Sequence, residues 1–279
     1  MLVTNSPRFL VSSAIHRIVS ASSVVTPRFS YFHSSTQSLA KLNLQGLVDR
    51  VNLKGQNVLV RVDLNVPLDK KDDVTVTDDT RIREIIPTTK FLLQQGANVI
   101  LVSHFGRPKG EIIEKGKNGR LTPVVPLLNK YLGTTVTKVN DCIGPDVEAA
   151  AKALTESQVL LLENTRFYKG EEKNDVKISE GLGKLASYFV MDAFGTAHRA
   201  HSSTAGVTQF VKYSAAGFLM EKELKFLKGA VDSPVRPLCA IIGGAKGMSC
   251  CFVVQHFDIY EKSNFVPHRI LLFISQLFV

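Results

Sequence analysis

The middle of this sequence predicts an α/β fold, a doubly wound parallel sheet of the Rossmann-like type. Between residues 53 and 244, apolar runs of strand length alternate with stretches of helical period. The apolar runs are near-continuous in Val, Ile and Leu, as strands covered on both faces require. The expected strands are Val58–Leu64, Asn98–His104, Thr135–Val139, Val159–Glu163, Tyr188–Ala193 and Leu238–Ile242. Thr80 is placed to cap a helix over Arg81–Gln95, which stops at Gly96. Thr122, with Pro123 at the first helical position, opens a second helix that runs to Tyr131 and stops at Gly133. A third helix is expected over Phe218–Val231, with Leu219, Leu224, Leu227 and Val231 on one face. No internal repeat is legible.

Composition narrows the function classes. With 44% hydrophobic and 21% charged residues, the 279-residue chain is ordinary globular material, neither collagen-like nor coiled coil. Cys142, Cys239, Cys250 and Cys251 lack the paired spacing of a metal site, so they read as free thiols in a reducing compartment. The net charge of +9 leaves +6 on the middle section once residues 1–40 and the tail are set apart. No dense Lys/Arg run or aromatic stripe accompanies it, so a nucleic-acid partner is not expected. The excess charge suits a small anion better.

The two ends differ from the middle. Residues 1–38 hold ten serines, three arginines and no acid, the composition of an organellar transit peptide. From Met248 onward the sequence shows no clear amphipathic period, and its apolar finish, Ile270–Val279, is too short to span a bilayer. No membrane partner is expected.

In open α/β sheets ligands bind outside the carboxyl ends of the strands, so the residues following each strand carry the functional signal. They are Arg61-Val-Asp63-Leu-Asn65, then Ser103-His104-Phe-Gly-Arg107, then Glu163-Asn164-Thr-Arg166, then Asp192-Ala-Phe-Gly-Thr-Ala-His198-Arg199-Ala-His201. Four separate strand ends thus bring Arg, His, Asn or Asp to one rim. The planar fork of arginine suits bidentate contact with phosphate or carboxylate, each charge-assisted bond contributing about 1.5–3 kcal/mol. The rim therefore predicts a small, multiply anionic ligand. For His198 and His201 a local structural bond and ligand contact stay equally open.

RVDLNVPL, TDDTRIR, SHFGRPKG, LLENTRFYKGEEKND, DAFGTAHRAHSS and AAGFLMEKEL, in this order and spacing, resemble the N-terminal domain of phosphoglycerate kinases over about residues 41–246. The resemblance implies phosphoryl transfer between 1,3-bisphosphoglycerate and Mg-ADP, giving 3-phosphoglycerate and ATP, by a monomer that closes about a hinge. It implies that Asp63 and Asn65 orient the glycerate and its hydroxyl, and that Arg81 lies near the transferring group. His104, Arg107, Arg166 and Arg199 would complete the cradle around the substrate phosphate. The acceptor is a carboxylate, already a nucleophile, so no general base is needed. Catalysis is then positioning plus charge neutralisation, with Arg81 as the catalytic residue.

Gly243-Gly244-Ala245-Lys246 lacks the first glycine and the trailing Ser/Thr of a Walker A loop. It resembles the first strand end of the family's nucleotide domain, where Lys246 would lie near the phosphates. The expected organisation is thus a transit peptide (1–38), a phosphoglycerate-binding domain (39–231), a linker with the first strand of a second, missing domain (232–247), and an unrelated tail (248–279). Gly247-Met248-Ser249 is compatible with codons containing GTATG, a common intron start, so a retained intron or an error in the gene model is the expected source of that tail. On this organisation the chain alone would bind Mg2+ with ATP or ADP poorly and be inactive, leaving a non-catalytic phosphoglycerate-binding fragment or an unstable product as the alternative. The leader, with SHFGRPKG, RLTP and DCIG resembling cyanobacterial forms, points to a plastid, the mitochondrion being the alternative.

Overall fold

The computed structural model describes residues 42–116 and 118–232. The chain enters through a short helix, α1 (Leu44–Val48), whose N-cap Asn43 accepts from the Gly46 amide at 2.9 Å. There follow β1 (Asn57–Val62), α2 (Thr80–Gln94), β2 (Asn98–Ser103), α3 (Val125–Leu132), β3 (Val136–Lys138), α4 (Pro145–Lys152) and β4 (Val159–Asn164). The remainder comprises α5 (Val176–Gly183), β5 (Tyr188–Asp192), the single turn α6 (Phe194–Ala197), β6 (Tyr213–Ala216) and α7 (Phe218–Asp232).

Among the described residues six strands form one sheet in the order β3-β4-β2-β1-β5-β6, every pair parallel. Val58 lies opposite both Val99 and Tyr188, which fixes the register at the centre. Alternate residues of each strand serve opposite faces. Val58, Val60 and Val62 pack with Ile82, Ile85 and Leu92 of α2 and Leu128 of α3. Leu59, Ile100, Leu160 and Phe189 pack with Val147 of α4 and Ile178 and Leu182 of α5. Both faces are apolar because both are covered by helices, which is why the strands read as unbroken hydrophobic runs. From β1 the chain leaves toward β2, and from β5 toward β6, so the connections from these two paired neighbours lead in opposite directions, the switch point beside which open α/β sheets bind ligands.

The strands end one or two residues earlier than the apolar runs suggest, at Val62, Ser103, Lys138 and Asp192, because Leu64, His104, Val139 and Ala193 belong to the rim loops. β4 instead runs one residue further, to Asn164. β6 escapes the hydrophobic pattern altogether. Its Tyr-Ser-Ala-Ala carries no Val, Ile or Leu, yet it pairs with β5, and Tyr213 stacks on Tyr188 with ring centroids 6.4 Å apart. Thr80 is the first residue of α2 rather than its cap. The N-cap is Asp79, whose carboxylate makes no cap bond because it accepts from Arg83 and from the Tyr131 hydroxyl. Thr122–Val124 form a 3-10 turn, and α3 begins only at Val125. Pro126 has no amide hydrogen and must fall in the first turn, so the α-helix cannot start at Pro123. Gly96 and Gly133 end their helices in the left-handed conformation, as expected.

In α7, Leu219 and Leu224 of the expected apolar face are half-buried, while Leu227 is 50% exposed. The expected strand Leu238–Ile242, the leader (1–38) and the tail (248–279) lie outside the described residues. The start of α7 is fixed by the last residue of β5. The Oδ1 atom of Asp192 accepts from the amides of Leu219 (2.9 Å) and Met220 (3.2 Å). Gly217 lies so close that a Cβ there would sit 2.3 Å from the same oxygen. The Asp192 carboxyl is fully buried, and its Oδ2 has no partner among the described residues.

Burial pushes the Asp192 carboxyl up to about 6 from an ordinary value of 3.8, against the opposing pull of Thr88 and the two α7 amides. A raised folded-state value means that folding takes up a proton. The stability it confers is complete below about pH 4 and is lost as pH rises through about 6. Asp192→Asn keeps an acceptor for the two amides and removes this loss. Urea unfolding should show the variant gaining about 2–3 kcal/mol on the native chain between about pH 4 and about pH 7.5. A difference that stays constant across that range would contradict the assignment.

Candidate functional site

The carboxyl rim is held together by buried polar side chains. Asn164, at the end of β4, is fully buried. Its Oδ1 accepts from the amides of Phe105 (2.9 Å) and Arg166 (3.1 Å), and its Nδ2 donates to the carbonyls of Phe105 (2.7 Å) and Gly119 (3.0 Å). One side chain thereby fixes the loops after β2 and β4 against each other. Its neighbour Glu163 is 1% exposed, pairs with Lys138 at 2.7 Å and Arg120 at 2.9 Å, and accepts from the amides of Leu121 and Asn164. This carboxylate is structural. Cys142 donates its thiol hydrogen to the Glu163 carbonyl, and burial raises the thiol well above its ordinary range, so it is unreactive.

Beneath the rim lies a fully buried arginine, Arg61, inside the central strand β1. Its Nε donates to Ser203 Oγ at 3.0 Å, its Nη1 to the Val62 carbonyl, and its Nη2 contacts His104 Nδ1 at 3.0 Å. Ser203 in turn donates to Glu171 Oε1 at 2.5 Å, and Glu171 is itself fully buried. Burial depresses the Arg61 guanidinium, with Glu171 and Asp63 opposing.

The residues expected at the site gather on this base. Arg81, from the first turn of α2, donates to Asp63 Oδ2 and to the Asn65 carbonyl, both at 3.0 Å. Asn65 Oδ1 accepts from the Gly106 amide at 2.8 Å, so its amide nitrogen is the end able to donate outward. Arg166 is 6% exposed. Its Nη1 donates to the Gly106 carbonyl at 2.6 Å and its Nη2 pairs with Glu172 at 3.1 Å, while its buried Nε has no partner among the described residues. Arg107 is exposed and Arg199 half-buried. The His201 side chain is buried behind the rim, whereas the exposed His198 accepts from Arg199 Nε at 3.5 Å.

Electrostatics show how tightly these groups converge. His104 is held well below its ordinary range, first by burial and then by the fields of Arg61, Arg166, Arg81 and Arg199. Arg166 is lowered by burial and by the fields of Arg199 and Arg107, with Glu172 opposing. Beside them is a cavity of about 360 Å3, lined in part by Arg107, Lys109, Arg166, Lys169, Lys173 and a single acid, Glu172. The structure thus brings Asp63, Asn65, Arg81, His104, Arg107, Arg166 and Arg199 to one rim. Lys246 lies outside the described residues.

Arg61 and Asn164, which the sequence groups with the rim residues, are buried supports of the rim instead, and Glu171 and Ser203 join them. Arg61 carried a signal, a charge inside an otherwise apolar strand. Glu171 and Ser203 carried none, being 32 positions apart and joined only by the fold. A larger cavity of about 490 Å3 lies at the opposite end of the strands, beside Asn57 and Asn98. There Asn57 donates to the carbonyls of Ala151 and Leu185, and Asn98 to Asn57, so the amides hold loops together. Among the described residues no group of three or more His, Cys, Asp or Glu could hold a metal ion, and no helix is long and apolar enough to cross a membrane.

The family model described as phosphoglycerate kinase matches residues 48–257. The chain belongs to the phosphoglycerate kinase family. The match extends ten residues beyond Gly247, where the legible resemblance stops. Among relatives, "Phosphoglycerate kinase 1, chloroplastic" of Arabidopsis thaliana is 55% identical over 227 residues, covering 81% of this chain and 45% of that protein. The phosphoglycerate kinase of a Synechococcus species is 55% identical over 219 residues, covering 78% of this chain and 52% of its own length. The solved phosphoglycerate kinase of Coxiella burnetii superposes with a TM-score of 0.64 at 37% identity, over 74% of this chain and 50% of that one. The chain spans about half the length of the relatives it matches, and its fold is the expected Rossmann-like α/β sheet.

Glu163 supports this rim through a buried pair, and Glu163→Gln would leave Lys138 and Arg120 facing a neutral amide. Urea unfolding should show a loss of about 3–5 kcal/mol. Glu114→Gln, which removes the exposed partner of the same Arg120, should leave the midpoint unchanged. Equal losses would show that the burial of Glu163 is not what gives its pairing weight.

Proposed function

We propose that residues 42–232 form the phosphoglycerate-holding half of a phosphoglycerate kinase, and that the carboxyl rim takes 3-phosphoglycerate or 1,3-bisphosphoglycerate. The observation that carries this reading is the convergence of Arg81, Arg166 and Arg199 around His104, with Arg107 beside Arg166 and too few acids at the rim to neutralise them. Such a cluster repels itself until an anion occupies it, so a multiply charged ligand gains from every cation at once.

In this reading Arg107, Arg166, Arg199 and His104 surround the phosphate, while Asp63 and the outward amide of Asn65 orient the glycerate. Arg81, anchored by Asp63 and the Asn65 carbonyl, is the cation nearest the transferring group. No side chain is asked to take a proton, because the attacking carboxylate is already ionised. Mg2+ with ADP or ATP, when bound, supplies the phosphoryl partner and neutralises its charge. The contribution expected of Lys246 to that partner lies outside the described residues, and no step is derived through it. The acid-free, Ser-rich leader and the chloroplastic relatives together support a plastid location.

Calorimetry with 3-phosphoglycerate tests the reading. Arg107→Ala and Arg199→Ala should each weaken binding roughly tenfold to thirtyfold, the loss of one charge-assisted contact of about 1.5–2 kcal/mol. The same ligand should raise the melting temperature of the native chain and raise it less in either variant. Lys184→Ala and Lys212→Ala remove the same charge at the opposite end of the strands and should change nothing. Equal weakening in all four would refute the rim as the site.

A further inference from the structure

We propose that Arg61 is a positioning residue that fixes His104 as its Nε2–H tautomer, so that the rim presents one uncharged N–H donor among its arginines. The inference follows from a single contact read with the chemistry of its two partners. A guanidinium has donors only and stays protonated in proteins. With Arg61 Nη2 standing 3.0 Å from His104 Nδ1, the ring nitrogen must be the acceptor. That excludes the Nδ1–H tautomer. It also excludes the imidazolium, which would set N–H against N–H. In the remaining form the proton sits on Nε2, which has no protein hydrogen-bond partner among the described residues.

The guanidinium cannot turn away to release the ring. Its Nε is held by Ser203, whose own hydroxyl hydrogen is directed to Glu171, and its Nη1 by the Val62 carbonyl. Arg61 is 1% exposed and His104 6%, so water does not compete for either. The charged groups facing the ring come from every element around it: Arg61 from β1, Arg81 from α2, Arg166 from the loop after β4 and Arg199 from the loop after β5. All four oppose a charge on the imidazole. Glu171 and Asp63 act on Arg61 and strengthen its hold as a cation.

For a phosphate or carboxylate oxygen, an Nε2–H donor gives direction without adding a charge, and its donor capacity does not change as the ordinary histidine range near pH 6.5 is crossed. Only this use of the donor rests on the phosphoglycerate reading; the tautomer does not.

The test is a long-range 1H–15N correlation spectrum of the intact chain, labelled at histidine and recorded without ligand, with His104 assigned by its loss in His104→Gln. The expected spectrum shows an unprotonated Nδ1, shifted as an accepting nitrogen is, and a protonated Nε2. Both should be unchanged from about pH 8 to about pH 5.5. A protonated Nδ1, a titration near the ordinary range, or an Nδ1 with the shift of an unbonded nitrogen would each overturn the proposal. In Arg61→Met the two tautomers should mix and the ring should titrate at higher pH. An unchanged spectrum there would remove the role from Arg61. Should that variant fail to fold, the native Nδ1 shift decides alone. Failure of phosphoglycerate to bind would leave the tautomer standing, and a wrong tautomer would leave the binding reading standing.

Discussion

A guanidinium buried at the carboxyl end of the central strand constrains everything around it. Arg61 sits between β2 and β5, where desolvation of an unpartnered charge would cost several kcal/mol. Each neighbour therefore supplies a group: the β1 backbone gives the Val62 carbonyl, the loop after β2 gives His104, and the segment after α6 gives Ser203. Glu171, on the loop after β4, completes the set through Ser203. Four segments distant in sequence must be in place together for this one charge to be satisfied. The same four segments carry the rim residues. The requirement that stabilises Arg61 also positions His104, Arg166 and Arg199.

Charge is distributed by depth. Where cations are wanted for structure, carboxylates meet them, as Glu163 meets Lys138 and Arg120. At the rim the balance is reversed, with Arg166 sharing one exposed glutamate and Arg107 and Lys109 beside the same cavity. The cavity at the amino ends of the strands is larger, yet its asparagines are committed to the protein itself, Asn57 to two backbone carbonyls and Asn98 to Asn57. Volume alone would have pointed to the wrong end of the sheet. Unmet charge points to the other.

Five of the described strands were legible because two-sided coverage writes them as unbroken apolar runs, from Val58 in β1 to Phe189 in β5. β6 was not, since an edge strand of Tyr, Ser and Ala carries no such run and is held by its pairing with β5. Helix stops were legible in Gly96 and Gly133, whose left-handed backbone glycine adopts without strain. Helix starts were less so, because Asp79 is diverted to Arg83 and Tyr131 and the cap of α7 comes from β5, far away in sequence. The rim residues could be read one strand end at a time. Their support could not, because Asn164, Glu171 and Ser203 gain their meaning from loops that only the fold brings together.

The claim on which the rest depends is that the carboxyl rim, and no other surface of these residues, receives phosphoglycerate. Mapping amide chemical shifts of the intact chain during a 3-phosphoglycerate titration addresses it most directly. The expected result is a contiguous set of perturbed amides at residues 63–65, 104–107, 164–166 and 199–203, with those at Asn57, Asn98, Lys184 and Lys212 unmoved. Perturbations centred on the amino-end cavity, or scattered over surface lysines, would contradict the assignment of the site.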